Sequence, residues 1–472
     1  SVVSLEQVSE TDVQIGKFHM LFVPHPGYIA QDVTFRRDSA LSNRPLVRLA
    51  KITCRGSWLN LLSFRHRIPR IELEGAQFYI PAHVPPGIRK HPQAKITTTV
   101  TDLYANGTVL EIAPRQEGSR TVRFDFPELG LSNLAKNTPI HFRTRVINKG
   151  LIGRLSAAGT VGPLVLKKVA ETRIDGNYRL NDDDLSTYKL IAGILSADGR
   201  FQGTLGSAEV TGRAAIRNFE ITSNRHAVEL TGEYNTVVDG IKGNVTIQSA
   251  TVRMLRSILL ARGSVRGEKG KILSLDIDGG QARIEDLLHL FVKADRPALN
   301  GALKLQAHVV LPPKQEPFLK RVQLEGNFRI DGAEFTSPRT EEKLDELSAR
   351  ALGNGKPKGE NVSKIVTAEL KSDVKLEGGL ATLSKAVFAV PGALTSGGGT
   401  FNVLDEKIDL RGKLAMRASL SRAAGGMKSV LLMPLDPFFK KDGAGAVLPI
   451  RILGTYSHPA FRLSLTKSRY GN

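Results

Sequence analysis

The sequence predicts a mainly-β chain with a few short helices. Three observations carry this. Apolar and polar residues alternate along most of its 472 residues, the mark of strands with one dry and one wet face. Glycine (45) and proline (23) are plentiful, which suits a chain with many turns. Apolar residues at helical spacing occur in only three stretches outside the N-terminal region.

Taken in order, 13–35 is expected to form two strands around a turn at Pro24-His25-Pro26-Gly27. Pro45 to Cys54 follows with a mixed strand pattern, and Trp58 to Phe64 has room for one or two helical turns. Arg70 to Ile80 is a strand, a break at Gly75 and a second strand. Pro81 to Pro92, rich in proline, histidine and glycine, is a loop or module edge. From Lys95 to about Leu273 strand follows strand, as in 96–100, 107–112 and 121–126.

One motif returns at uneven intervals: glycine, any residue, apolar, any residue, apolar. It occurs at Gly176, Gly243, Gly301, Gly326 and Gly412. The uneven spacing excludes a fixed-period solenoid. Glycine there permits a bulge, a bend or a close backbone approach.

The helical stretches come late. Ile284, Leu287, Leu288 and Phe291 stand at i, i+3, i+4 and i+7, with Glu285 and Asp286 in the first turn and Pro297 beyond the end. The second runs from about Pro338 to Leu352, with Ser337 as N-cap and Leu344, Leu347 and Ala351 as its dry stripe. The third, 421–432, is weakened by Gly425-Gly426. Gly353 to Gly359 is expected to be a loop. The organisation expected is an N-terminal β module over 1–93, a central β segment over 94–280 and a C-terminal region over 281–472.

Hydrophobic content of 41% and charge of 24% fit a folded protein. The net charge is +20, which suits acidic partners. The basic residues are spread along the chain without interleaved stacking aromatics, which argues against nucleic acid. A diffuse positive surface suits anionic headgroups, and a solvated basic surface is the plain alternative. The single Cys54 excludes an intramolecular disulfide, and its usage permits an oxidising compartment. No apolar run approaches the roughly 20 residues of a membrane helix. The first residues lack a basic start followed by an apolar core, so either the protein is soluble or an anchor precedes Ser1.

No constellation of catalytic residues stands out. There is no Gly-x-Ser-x-Gly and no His-Glu-x-x-His. Gly270-Lys271 lacks a following Ser or Thr, and Gly353-Asn-Gly355 follows a helix pattern, which is wrong for a dinucleotide fingerprint. Asp276-Ile-Asp278-Gly279 hints at calcium, but Leu287 stands where a bidentate glutamate is needed. Asp182-Asp183-Asp184 is more simply a polar turn, and His25 and His458 each precede a proline in a turn. The expectation is no enzyme activity, no metal and no cofactor.

The stretch from Gln281 to Leu465 resembles the C-terminal region of the AsmA-like proteins of Gram-negative envelopes. The matching pieces are Ile284 to Leu288, Lys293 to Gly301, Phe335 to Pro338, Val390-Pro391-Gly392, Leu435 to Phe439, Leu448 to Tyr456 and His458 to Phe461. Phe22 to Val33 is similar to that family's opening strands. The resemblance implies an inner-membrane anchor, a periplasmic location and an elongated, curled antiparallel sheet forming an open hydrophobic groove. It implies that the groove carries phospholipid between inner and outer membranes, as in the eukaryotic bridge-like lipid-transfer proteins. This sequence departs from the pattern in showing no anchor.

On that plan the partners are phospholipids or other anionic lipids, with no nucleic acid. Leu303, Leu305, Phe328, Ile330, Leu414 and Met416 are expected to line the groove. The simpler reading of each is a strand residue packed on a helix. Three other readings stand beside the lipid carrier. One is an assembly factor for outer-membrane proteins acting by β-augmentation. The others are an enzyme on a β scaffold and a closed β-sandwich array.

Overall fold

The computed structural model describes residues 12–36, 45–56, 58, 67–80, 99–112, 122–134, 138–147, 154–163, 165, 168–188, 191–222, 224–267, 270–293, 296–313, 316–352, 368–417, 445–455 and 458–463. The expectations for 59–64, 81–92, 353–359 and 421–432 lie outside the described residues.

The first strands are β1 (Asp12–Leu21), β2 (Gly27–Arg36), β3 (Val47–Arg55), β4 (Arg67–Glu74), β5 (Gln77–Ile80) and β6 (Thr99–Ile112). They are followed by β7 (Val122–Ser132), β8 (Ile140–Ile147), β9 (Arg154–Val161), β10 (Arg173–Asp184) and β11 (Ile191–Thr204). Next come β12 (Ser207–Ile221), β13 (Val228–Asp239), β14 (Asn244–Met254), β15 (Ser257–Arg266) and β16 (Ile272–Arg283). Helix α1 (Ile284–Phe291) leads to β17 (Leu299–Leu311), α2 (Phe318–Arg321), β18 (Gln323–Phe335) and α3 (Pro338–Ala351). The last strands are β19 (Ala368–Glu377), β20 (Leu380–Val390), β21 (Ala393–Asn402), β22 (Lys407–Met416), β23 (Ala446–Thr455) and β24 (Pro459–Leu463).

The 24 strands of the described residues join one sheet. The mainly-β class with few short helices is therefore what the chain adopts. Two compact units divide it. The first holds 1–187, 194–214 and 235–245; the second holds 188–193, 215–234 and 246–472.

In the first unit most neighbours are antiparallel hairpins, because short turns join sequential strands. One pairing departs from this. Strands β4 and β5 flank Gly75, whose φ of 61° makes the break. Both lie antiparallel to β3 and parallel to β6. A parallel neighbour needs a crossover connection; residues 81–98, between β5 and β6, lie outside the described residues. A core of Val13, Ala30, Val33, Leu49, Leu73, Ala76 and Ala105 forms on one face.

In the second unit β15 to β24 are successive antiparallel neighbours. Helices α1 and α3 lie where the sequence places them. Leu344 and Ala351 are buried and Leu347 is packed against the same cluster, so the dry stripe of α3 faces the sheet. Glu341 accepts the backbone N–H of Phe335 at 2.9 Å, closing the chain entry to the helix. Between β20 and β21, Pro391 and Gly392 make a two-residue turn in which Gly392 takes φ 83°. Proline there presets the first central φ and glycine accepts the positive one.

The recurring glycine motif resolves into different uses. Gly301 has φ 155° at a register shift between β17 and β18. Gly326 is needed for space: a Cβ there would run into the carbonyl oxygen of Gln306 and the Cα of Ala307 on β17. Gly326→Ala is expected to cost about 1–3 kcal/mol as an overpacked site. The readout is a lower urea midpoint at unchanged slope.

Candidate functional site

The register of the second unit decides what its apolar face presents. Opposed residues share a face, so one row can be followed across the strands. It runs Ala282, Leu303, Ile330, Leu370, Phe388, Thr395, Leu414 and Leu448. This row lies under the helices: Ile284, Leu287 and Leu288 of α1 and Leu344, Leu347 and Ala351 of α3 belong to the same cluster.

Further along the strands the same face continues without that cover. One row there is Ile277, Ala307, Gly326, Val374, Leu383, Gly399, Leu410 and Ile452. A second contains Leu275, Val309, Leu324, Leu376, Ala381, Phe401 and Ile408. Most of the large side chains in these rows are half-buried, and none belongs to a core cluster. No charged residue stands in any of these rows. The polar Ser372, between the first two, satisfies its hydroxyl by donating to the carbonyls of Ser384 at 2.9 Å and Asp373 at 2.8 Å.

This apolar face is concave. Helix α1 leaves β16 at one end of the strands. Beyond its far end Lys293 donates its backbone N–H to Glu406 at 3.1 Å, in the turn at the opposite strand ends. Leu290 of α1 and Phe318 of α2, which connects strands at those opposite ends, meet in one cluster with Ile221, Val228 and Met254. A 12-residue strand is roughly 40 Å long, whereas Ile284 to Lys293 reaches roughly 20 Å. The sheet must curl for so short a segment to connect its ends, and it curls around the face that carries the helices.

Glu285 and Asp286 hold α1 in this position. Both are buried, at 5% and 2% exposure. Glu285 accepts from Arg283 and Arg256, each at 2.8 Å, and from the N–H of Gly301 at 3.0 Å. Asp286 accepts from the Ser257 hydroxyl at 2.7 Å and the Arg256 N–H at 3.0 Å. Burial alone would push the Glu285 carboxyl up; the bonds from Arg283 and the backbone outweigh it and hold it below its ordinary value. At the other end Asn224 donates to the Leu290 carbonyl at 3.1 Å, and the rings of His226 and His289 stack 4.7 Å apart. Burial and the neighbouring His226 push His289 down. The sequence marked Glu285 and Asp286 as helix-dipole partners; their tertiary bonds had no local signal.

The structure thus divides the six residues expected to line a groove. Leu303, Ile330, Leu414 and Met416 are buried in the helix-covered cluster. Leu305 and Phe328, opposed across β17 and β18, are half-buried at its margin. Sequence reasoning missed Val374, Leu383 and Leu410. Their signal was the continued alternation of β19, β20 and β22, readable as one surface only with the register known.

The opposite face is polar. A cavity of about 600 Å³ is lined by Lys304, Arg329, Lys371, Lys385, Asp278 and Asp373 together with Leu305, Phe328 and Ser372 of the apolar rows. Arg329 pairs with Asp331 and Glu369 at 2.6 Å, and Lys385 with Asp373 at 2.8 Å, so much of its positive charge is already answered. Asp278 caps its own turn through the Gly280 N–H, and Asp276 pairs with His308. Among the described residues no group of three His, Cys, Asp or Glu is placed to hold a metal ion. Among them, too, no helix is long and apolar enough to cross a membrane.

The first unit repeats the build. Phe142, Gly159, Gly176 and Phe201 are successive partners from β8 to β11. Three strand spacings amount to roughly 14 Å, yet the two rings stack 6.4 Å apart above the glycines. Cys54 of β3 is buried opposite Tyr28, and burial pushes its thiol up.

Set against known proteins, the chain matches no family model and no curated sequence.

Proposed function

We propose that the chain binds lipid on the concave apolar face of its sheet and carries phospholipid between the inner and outer membranes of a Gram-negative envelope, from a periplasmic location. The observation that carries this reading is the extent of uncharged concave surface beyond the cover of α1 and α3. A closed core would bury those rows under further elements. Acyl chains supply the missing cover: each CH₂ moved from water onto such a surface gains about 0.8 kcal/mol. With Ser372 bonded to backbone, the face offers no polar anchor among these rows, which lets a chain slide. The resemblance to the AsmA-like proteins supports the direction of the reading, and the net charge of +20 suits anionic headgroups.

The test is native mass spectrometry with lipid extraction on the purified chain, before and after incubation with liposomes. Co-purified or acquired phospholipid is the expected result. A protein that stays free of lipid after incubation would overturn the proposal.

A further inference from the structure

Among the described residues, the exposed large apolar side chains concentrate in one place. Phe18, Met20, Phe22 and Val23 are 51%, 65%, 63% and 85% exposed, all within six positions of the β1–β2 hairpin. A single exposed leucine or phenylalanine is ordinary; four together at a hairpin tip mark a contact surface. Trp58 adds a fifth, 47% exposed. It lies two residues past Gly56, whose N–H donates to the Pro26 carbonyl of the hairpin turn at 2.6 Å. Two residues reach roughly 7 Å, so Trp58 belongs to the same end of the sheet.

The hairpin that carries this patch has charge of one sign between Val13 and Gln31. There is no Asp or Glu there, while Lys17 falls inside that run. Strand β3 behind it adds Arg48, Lys51 and Arg55; Lys51 is answered by Glu74 of β4 at 2.7 Å and Arg55 faces Glu72 at 3.6 Å. Tryptophan and phenylalanine backed by cations is the composition that settles at the headgroup boundary of a bilayer. A protein partner with an apolar pocket would not need the acid-free run of the hairpin.

We infer that the tip of the β1–β2 hairpin, with Trp58, inserts into the interface of an anionic lipid bilayer. Phe18, Phe22, Val23 and Trp58 enter the acyl boundary, and Lys17 and Arg55 stay at the headgroups. The inference does not require lipid carriage, although Phe18 opposes Ala30 on the side of the sheet that holds the apolar core.

The chain's single tryptophan provides the readout. The purified protein is mixed with phosphatidylcholine vesicles, with and without phosphatidylglycerol. Cosedimentation and Trp58 emission are followed, with brominated lipid as quencher. Binding that needs the anionic lipid, a blue shift and quenching are expected. A Met20→Asp, Phe22→Asp, Val23→Asp variant removes only exposed side chains, and is expected to bind about tenfold more weakly or less. Its circular dichroism is expected to be unchanged. Four results would each overturn the inference. They are no binding to anionic vesicles, binding without shift or quenching, equal binding by the variant, or a wild-type dimer that the variant abolishes. Vesicle binding without co-purified lipid would instead leave the hairpin standing and remove lipid carriage.

Discussion

Glu285→Ala is expected to destabilise the second unit by about 3–5 kcal/mol, the range for removing one partner from a buried, hydrogen-bonded charge group. Its carboxylate answers two guanidinium groups and the N–H of Gly301, and alanine leaves that N–H buried without an acceptor. Glu285→Gln keeps an acceptor for Gly301 and loses the charge, so it should fall between the two. Acid should act in the same direction. His289 has its pKa held below its ordinary 6.5, so its neutral form favours the fold; that contribution is present above 6.5 and is lost as pH falls below it. Glu285 is held below its ordinary 4.5, so its contribution is present above 4.5 and is lost as pH falls through its lowered value. Thermal unfolding against pH should therefore weaken in two steps, with the lower step smaller in Glu285→Ala, since Asp331, Asp405 and Asp409 are also held below their ordinary values. A loss under 1 kcal/mol, or an unchanged lower step, would mean that α1 is held by its apolar stripe alone.

Much of this fold was legible because its signals are local. Alternation gave the strands, Gly75 the break between β4 and β5, and the spacing of Ile284, Leu287, Leu288 and Phe291 gave α1. Pro338 marked the first turn of α3. What was not legible depends on partners far away in the chain. The parallel place of β6 beside β4 follows from a crossover that no residue of either strand encodes. Register shifts after Asp278, Ile330 and Lys371 re-aim the residues that follow, so alternation alone cannot carry one face across several strands. For the same reason alternation pointed to Leu303, Leu305, Phe328, Ile330, Leu414 and Met416, and the structure buries four of these, Leu303, Ile330, Leu414 and Met416. They are the most regular apolar positions because helices cover them, and regular burial is the signature of a core. The uncovered rows carry smaller and more varied residues, Gly399 and Ala307 beside Leu410 and Val374, which blur the pattern while widening the concavity.

The sharpest separation of the functional readings comes from charge placed on those uncovered rows. Val374→Asp, Leu383→Asp and Leu410→Asp each set a carboxylate against the space assigned to acyl chains. An aspartate facing hydrocarbon costs about 2.5–3.5 kcal/mol, which is on the order of a hundredfold in lipid retention for each variant. Lys375→Asp, one residue from Val374 and on the polar face, should leave retention near wild type. The parent residues are half-buried, so a folded protein is expected in every case, and circular dichroism with a urea midpoint checks it. The pattern follows the sheet's period of two: sensitivity at 374 and its absence at 375 is what a lined concavity requires. Recognition of a foreign strand at a sheet edge works through backbone groups and is indifferent to this alternation. If all three variants hold lipid as wild type does, bound lipid must lie elsewhere, and the concave rows are simply a loosely covered core.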